Sequence, residues 1–331
     1  MLVLALFLQH TGVAQKTAAS DILASNAKLK QIFEGEEIIE GPAMSPDEIL
    51  YFSDFPLSHG KPGKAGIIWS LNPLTGESKV FRSPSGMSNG LAFDTNGDLI
   101  ACEGADFGGR RLTKTDMKTG KSVIIAGLYE GKPFNGPNDL VIDEKGRVYF
   151  TDPRYIGKEP VEQNQMGVYR IDNDGSVHLV AANASKPNGI TISPDQKTLY
   201  VTNNDFPGNN NFWVLPDDAP TVRPTTANGL LIAYDILPDG NLKFKSNLID
   251  FGDPSPDGMA VDKEGNLYVA VWDRVDVFSP DNKKITEIKL PQTRNLCFGT
   301  GRFSKTLFIA AGNGIYMIET KKEGYNIPLK K

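Results

Sequence analysis

The chain has 331 residues, of which 40% are hydrophobic and 23% charged, with a net charge of −5. This composition is typical of a globular protein and excludes collagen-like and low-complexity chains. No stripe of Lys and Arg stands out, so we expect no nucleic-acid partner. The 33 Gly and 22 Pro residues, with many Asn and Asp, indicate the frequent tight turns that an all-β protein requires.

The first predicted element is a signal-like segment at residues 1–15, MLVLALFLQHTGVAQ. Its apolar run is too short to span a bilayer and ends in small and polar residues, as a secretory signal does. We therefore expect no membrane span and a periplasmic or secreted protein. A frayed apolar terminus or a misplaced start codon is the alternative, and the protein would then be cytoplasmic. Residues 16–36 are predicted to be a polar lead-in with about one helical turn.

Six stretches within residues 37–320 repeat a pattern of apolar strand, tight turn and apolar strand. An acidic or amide residue, here called a lead residue, begins each of them: Glu40, Asn89, Asn138, Asn188, Asp257 and Asn295. Successive lead residues are 49, 49, 50, 69 and 38 positions apart. A period near 50 is that of a four-stranded propeller blade. We therefore predict an all-β fold, a six-bladed β-propeller with a central metal-binding channel, over residues 37–320.

Three segments depart from the regular repeat. The sixth unit is short, so we expect the N-terminal lead-in to supply a strand that closes the ring and protects the sheet edges. The longest interval contains an insertion, Pro207–Gly229, whose Phe212 and Trp213 either wall a pocket or only cover a blade. Residues 321–331 are predicted to form a solvated C-terminal tail.

The lead residues place six oxygen-bearing side chains at one level around the predicted axis. Two are carboxylates and four are amides, and hard oxygen donors suit calcium or magnesium better than zinc or copper. The alternative is turn chemistry, because four of the six lead residues are followed by Gly. Glu40 favours the metal site, since Glu is a poor turn former.

The motifs of other catalytic classes do not occur in the required context. The one G-x-S-x-G, GMSNG at 86–90, is followed by an apolar strand rather than a helix and so does not indicate a serine hydrolase. No G-x-G-x-x-G follows a strand to indicate a dinucleotide site. Of the three histidines, His10 lies in the signal-like segment, His59 in a loop after the first hairpin and His178 in an outer strand. Cys102 and Cys297 fall in different repeats, so both are expected to be free thiols.

Tripeptides at the lead residues, with the strands that follow them, carry a family resemblance. They are EGP at 40–42 with FSD at 52–54, PND at 137–139 with FTDPRY at 150–155, PNG at 187–189 and PDG at 256–258. In this order and at blade spacing, they resemble the gluconolactonase family, also named for senescence marker protein and the luciferin-regenerating enzyme. FTDP followed by a Tyr is most similar to the bacterial gluconolactonases.

The resemblance implies a six-bladed propeller with a divalent cation on its axis, usually Ca²⁺, with Zn²⁺, Mg²⁺ or Mn²⁺ as alternatives. It implies Glu40, Asn188 and Asp257 as the metal ligands and Asn138 as a substrate-binding residue. Animal members have an Arg two residues before that Asn, where this chain has Gly136. Arg154 and Tyr155 are therefore the candidates to bind substrate in its place. Asp139, beside Asn138, is also predicted to bind substrate, and it either orients the ligands or shares the role of base.

The function predicted from these residues is metal-dependent hydrolysis of a sugar lactone, a small-molecule substrate. The cation would polarise the carbonyl, and Asp257 would act as general base toward water. Two alternatives remain at this stage. One is a phosphotriesterase or aryl-ester hydrolase with the same metal centre, and the other is a propeller that binds a ligand without catalysis. The sequence does not predict an oligomeric state.

Overall fold

Each alternating segment of the repeat forms an antiparallel hairpin. In the computed structural model, which describes residues 21–57, 63–205 and 229–329, the third repeat pairs Leu140 with Phe150 and Ile142 with Val148 across a tight turn. Two further antiparallel strands extend the hairpin outward, so each of the first five repeats becomes one four-stranded sheet. The β-branched and aromatic residues of these strands pack between neighbouring sheets, as a half-buried pleated surface favours.

Six such sheets form the blades, and their strands run outward from the channel in chain order in blades 1 to 5. From the inside outward, blade 1 contains β2 (Ile38–Met44), β3 (Leu50–Phe55), β4 (Ile67–Leu71) and β5 (Ser78–Arg82). Blade 2 contains β6 (Ser88–Phe93), β7 (Leu99–Glu103), β8 (Arg111–Thr115) and β9 (Ser122–Ala126). Blade 3 contains β12 (Leu140–Ile142), β13 (Val148–Asp152), β14 (Gly167–Ile171) and β15 (Val177–Ala181). Between blades 2 and 3 lies a two-stranded ribbon of β10 (Leu128–Tyr129) and β11 (Lys132–Pro133).

Blades 4 and 5 repeat this order, whereas blade 6 is built from both ends of the described chain. Blade 4 contains β16 (Pro187–Ile192), β17 (Thr198–Asn203), β18 (Gly229–Ile236) and β19 (Leu242–Gly252). Blade 5 contains β20 (Pro256–Val261), β21 (Leu267–Val271), β22 (Arg274–Phe278) and β23 (Lys284–Lys289). Blade 6 contains β24 (Thr293–Phe298), β25 (Thr306–Ala311), β26 (Gly314–Glu319) and β1 (Lys30–Glu34). A single 3₁₀ turn, Gly301–Phe303, precedes β25.

The six innermost strands close a ring. Each strand contacts the next in the order β2, β6, β12, β16, β20 and β24, and β24 in turn contacts β2. This arrangement confirms the predicted six-bladed all-β propeller, and the near absence of helix holds for the described residues. His178 lies on the outermost strand of its blade, as predicted. Cys102 and Cys297 are free, as the sequence predicts.

The N-terminal strand joins the two ends of the ring. β1 pairs antiparallel with β26 on the outer edge of blade 6, which confirms that the lead-in supplies the closing strand. Phe33 of this strand packs against blade 1, where its ring centroid is 4.7 Å from that of Phe52 and 5.4 Å from that of Trp69. One aromatic side chain therefore ties the first blade to the last.

We expect Phe33→Ala to lower the free energy of unfolding by about 2 to 4 kcal/mol, because it removes a half-buried ring and its two edge contacts. Chemical denaturation of the variant and the wild type measures the difference. Phe107→Ala is the matched control, since that ring is 59% exposed and its loss should change stability little. Equal stability of Phe33→Ala and wild type would show that the closure does not depend on this ring.

The C-terminal tail corrects one prediction. The expected solvated terminus instead packs, in its described part, across one end of the channel. The hydroxyl of Tyr325 donates to Glu144 at 2.7 Å, the side-chain amide of Asn326 donates to the carbonyl of Gly299 at 3.0 Å, and Ile327 packs on a core cluster. The tail carries apolar and aromatic residues between its lysines, and burying their surface is favourable. The prediction of a solvated tail considered only its charge and so left this contribution out.

Two predicted segments lie outside the described residues. They are the signal-like segment, 1–15, and all of the insertion before Gly229, including Phe212 and Trp213. Export from the cytoplasm therefore stays a prediction. In the part of the chain that is described, no helix is both long enough and apolar enough to cross a membrane.

Candidate active site

The lead residues lie on the innermost strands, where the pairing is irregular. Five of them are inside a strand, and Asn138 lies two residues before β12. The register between the first two strands shifts just after Glu40, between Ser88 and Leu91, between Pro187 and Ile190, and between Pro256 and Met259. Such bulges bend a strand and redirect its side chains. They therefore take these lead residues out of the regular alternation of the sheet.

The glycines that follow the lead residues have a role different from turn formation. A Cβ on Gly41, whose φ is +54°, would lie 2.0 Å from the carbonyl oxygen of Asn89 in the next blade. A Cβ on Gly189 would lie 2.3 Å from the carbonyl oxygen of Asp257. Glycine at these positions lets neighbouring inner strands approach closely. The Asn-Gly and Asp-Gly pairs therefore lie in innermost strands, where adjacent blades meet at the channel, and not in tight turns.

Five lead residues share one cavity of about 640 Å³ at the end of the channel opposite the tail. They are Glu40, Asn89, Asn138, Asn188 and Asp257. Apolar groups such as Leu57 and Ile156 and the Pro137 and Pro153 rings complete part of the wall. A cavity with an apolar wall and a few convergent polar groups is the usual form of a small-molecule site.

The three predicted metal ligands meet in this cavity. Glu40 and Asn188 are buried, and Asp257 is half-buried with its side chain facing the cavity. Desolvation raises the pKa of the Glu40 carboxyl, and the carboxylate of Asp257 raises it further. Desolvation also raises the pKa of Asp257, while the positive charge of Arg294 opposes that shift. Two carboxylates held together out of water are costly when both are charged.

Tyr155 lies beside the predicted ligands. Its hydroxyl donates to the carbonyls of Lys186 at 3.3 Å and Asn204 at 3.4 Å, and it lies within hydrogen-bonding range of the Asn188 side chain. Burial raises the pKa of this phenol, and the nearby Asp257 carboxylate adds to the effect. Tyr155 is therefore a neutral phenol whose single proton points at these carbonyls, and its oxygen can accept a hydrogen bond from a ligand in the cavity. Asn138 lines the same cavity.

The motif FTDPRY builds the wall that carries Asn138. The hydroxyl of Thr151 donates to the carbonyl of Asn188 at 2.6 Å and so joins two blades. The carboxylate of Asp152 accepts the backbone N–H groups of Asn135 at 2.8 Å and Gly136 at 2.7 Å. Burial raises the pKa of Asp152 to about 7. These contacts fix the loop just before Asn138.

Arg154 has a different geometry from the one expected of a substrate ligand. Its side chain is 0% exposed, and its guanidinium donates to the carbonyls of Asn135 and Glu159, both at 2.7 Å. A guanidinium already held by backbone carbonyls has few donors left for a ligand. The structure thus gives Arg154 a positioning role in the wall of the cavity.

Asp139 does not join the cavity that contains Asn138. It lines a second cavity of about 380 Å³ at the tail end of the channel, together with Asn295. Its carboxylate accepts the Leu140 N–H at 2.9 Å and the Asn295 side-chain amide at 3.3 Å, and burial raises its pKa to about 6. The two residues form a layer behind the predicted ligands, so direct substrate binding by Asp139 does not fit this placement.

Among the residues with described positions, no group of three or more His, Cys, Asp and Glu side chains is arranged to hold a metal ion. The predicted set contains two carboxylates and one amide, and its use as a metal site stays a prediction.

With this geometry in place, comparison with known proteins places the chain in a family. The model of the SMP-30/Gluconolactonase/LRE-like region matches residues 39–313. The chain belongs to this family. Among its relatives is a gluconolactonase of Zymomonas mobilis subsp. mobilis, 33% identical over 301 residues, which cover 86% of this chain and 79% of that protein.

Two solved structures of similar proteins agree with the propeller assignment of this family member. A putative gluconolactonase is 25% identical and superposes with a TM-score of 0.77, covering 92% of this chain and 96% of that one. A gluconolactonase of Xanthomonas campestris is 26% identical with a TM-score of 0.74, covering 92% of each chain.

Two residues of the cavity, Arg294 and Trp272, are not among the site residues predicted from the sequence. Both line the cavity, and the guanidinium carbon of Arg294 lies 5.5 Å from the centre of the Trp272 ring. A signal for Arg294 is present in the repeat. The residue directly before a lead residue is apolar, Pro or Ser in the other five repeats: Ile39, Ser88, Pro137, Pro187 and Pro256. A charged residue there is an exception that points to the site.

Proposed function

We propose that the protein is a metal-dependent lactonase that hydrolyses a sugar lactone, such as glucono-1,5-lactone, in the cavity of Glu40, Asn188 and Asp257. The observation that carries this proposal is the convergence of those three side chains in one cavity of a gluconolactonase-family propeller. The 33% identical relative bears the name gluconolactonase, and the solved structure from Xanthomonas campestris is described as one as well.

The donor set fits a hard divalent cation, with Ca²⁺ as the first choice. Two carboxylates would neutralise the charge of the ion, and the amide oxygen of Asn188 would add a neutral ligand. The side-chain oxygen of Asn89 is buried in the same cavity and has no hydrogen-bond partner among the described residues. Buried polar atoms seldom remain unsatisfied, so this oxygen supports a ligand or an ion at the site.

A bound cation would polarise the lactone carbonyl and stabilise the negative charge that develops on its oxygen. The protein supplies the remaining chemistry. Asp257 faces the cavity, and its carboxylate takes a proton from the attacking water as general base. When the ring C–O bond then breaks, Asp257 returns this proton to the departing ring oxygen, which yields the hydroxy acid. Asn138 and Tyr155 hold the lactone by hydrogen bonds, and the apolar wall limits the entry of other water molecules. Because Arg154 and Asp152 fix the loop before Asn138, they keep that amide in position.

A pH-indicator assay of acid release tests this proposal. The substrates are glucono-1,5-lactone, δ-valerolactone, an aryl ester and a phosphotriester, each with calcium or with EDTA, and the rate without enzyme is subtracted. We expect acid release from the sugar lactone with calcium, loss of that activity in EDTA and recovery when calcium is added back. No metal-dependent release from any lactone would contradict the proposal, and turnover of the ester or phosphotriester alone would favour a different hydrolase.

A further inference from the structure

Arg294 has hydrogen-bond donors that the described protein does not use. It lies on β24, directly before the sixth lead residue, and lines the cavity. Its Nε atom is buried and has no hydrogen-bond partner among the described residues. A guanidinium carries five N–H donors and no acceptor, and leaving a buried donor unsatisfied is unfavourable. An oxygen-rich ligand in the cavity would satisfy this group.

Trp272 holds the guanidinium at the cavity. This residue lies in the turn between β21 and β22 of blade 5, and its side chain faces Arg294 of blade 6 at 5.5 Å. A cation over the face of a Trp ring is attracted to it. Trp272 is 49% exposed, which places it at the rim, while the buried Glu40 and Asn188 lie deeper. The pair therefore forms a side wall between the opening and the predicted ligands.

The two arginines of the cavity differ in the N–H donors that they leave for a ligand. The guanidinium of Arg154 is bonded to backbone carbonyls and fully buried. Arg294 instead lines the cavity together with Glu40 and Asp257, and its buried Nε has no hydrogen-bond partner among the described residues. Of the arginines that line the described cavity, Arg294 is thus the one placed to bind a ligand.

We infer that Arg294 determines specificity for hydroxylated lactones, donating hydrogen bonds to ring hydroxyl oxygens while Trp272 presents an apolar face to the ring. The inference rests on the proposed lactonase function. A lactone whose carbonyl lies near Asp257 extends the rest of its ring toward the rim, where the guanidinium stands.

Two lactones that differ only in their hydroxyl-bearing substituents test the inference. Glucono-1,5-lactone and δ-valerolactone share the six-membered ring, and the second lacks the substituents. We expect Arg294→Ala to lower kcat/KM for glucono-1,5-lactone about 10- to 100-fold, mainly through KM, and to change δ-valerolactone hydrolysis little. Arg294→Lys should recover only part of the loss, because an ammonium lacks the planar fork of donors.

Arg302→Ala is the matched control. This arginine also belongs to blade 6, is 60% exposed and pairs with Glu48, and it does not line the cavity. Its substitution should leave both activities unchanged. An equal loss for both lactones in Arg294→Ala, or no loss for either, overturns the inference while the lactonase proposal stands.

Calorimetric titration with gluconate, the product acid, separates the inference from the proposed function. It requires no turnover, and we expect the calcium-loaded wild type to bind gluconate at least about tenfold more tightly than Arg294→Ala. If the wild type hydrolyses no lactone, the lactonase proposal fails and this titration alone decides the inference. Equal gluconate affinity of the two proteins, or no binding to the wild type, then overturns it.

Discussion

Asp257→Asn is expected to lower kcat for glucono-1,5-lactone by about 10³-fold, within the range typical of general bases. The amide keeps the shape of the side chain but cannot accept a proton from water. Asp257 faces the cavity beside Glu40 and Asn188, and desolvation raises the pKa of its carboxyl. A carboxylate with a raised pKa is a stronger base than an exposed one. Initial rates of acid release at saturating substrate measure the loss.

Asp257 is also a predicted metal ligand, so the experiment must separate the two roles. Calcium affinity is measured by calorimetry on the same variant, and the rate is repeated at calcium concentrations that saturate it. We expect the rate to stay low at saturation, because a restored ion does not replace the base. Recovery of kcat at high calcium would limit Asp257 to binding the metal, and full activity at every calcium concentration would remove it from the mechanism.

Asp276→Asn is the matched control for this substitution. Asp276 is a buried carboxylate of the same blade and pairs with Arg274 and Lys284, both at 2.8 Å. It lies on β22, outside the cavity. Its loss should affect stability rather than kcat, so thermal unfolding of both variants shows whether a lost rate reflects a lost fold.

The repeat made most of the fold predictable, because each blade encodes its own hairpin. Runs of β-branched and aromatic residues such as those of Val148–Asp152, a strand buried at every position, identify the strands locally. The C-terminal tail was harder, since the partners of Tyr325, Glu144 and Gln196, are more than 100 residues away in the chain. Contacts of that range depend on how the blades are arranged around the axis, which no local pattern contains.

The candidate site was predictable where it follows the repeat and unpredictable where it crosses blades. The spacing of the repeat groups all six lead residues, and only the family resemblance singles out Glu40, Asn188 and Asp257 among them. Arg294 meets Trp272 across the boundary of blades 5 and 6, a pairing that the repeat does not encode. Asp139 directly follows Asn138 in the segment just before β12, yet the two residues line different cavities, which their adjacency in sequence does not predict.

A substitution at a buried position usually lowers stability, but Glu40→Gln is expected to raise the melting temperature of the metal-free protein. In EDTA the wild type holds Glu40 and Asp257 together without a cation, and their repulsion raises the pKa of Glu40. A neutral amide removes that repulsion, so the metal-free variant should melt at a higher temperature than the metal-free wild type. With calcium the order should invert, because the wild type gains about 3 kcal/mol at 100 times its Kd and the variant gains less.

The pH dependence of the metal-free proteins gives an independent test of the same repulsion. A carboxyl with a raised pKa binds its proton more tightly in the folded than in the unfolded state. The metal-free wild type should therefore lose stability as pH rises from about 4, the ordinary carboxyl value, through the raised values of Glu40 and Asp257. The loss should be smaller in Glu40→Gln, and stabilisation by calcium should grow over the same pH interval.

Thermal unfolding in EDTA and in calcium, at pH 5 and pH 8, measures these effects. Glu36→Gln is the control, since that side chain is 80% exposed and lies outside the cavity, so it reports any non-specific binding of calcium to surface carboxylates. If Glu40→Gln keeps the full calcium-induced rise in melting temperature, Glu40 is not a ligand. A metal-free variant less stable than the metal-free wild type at pH 8 would mean that the two carboxylates do not repel each other.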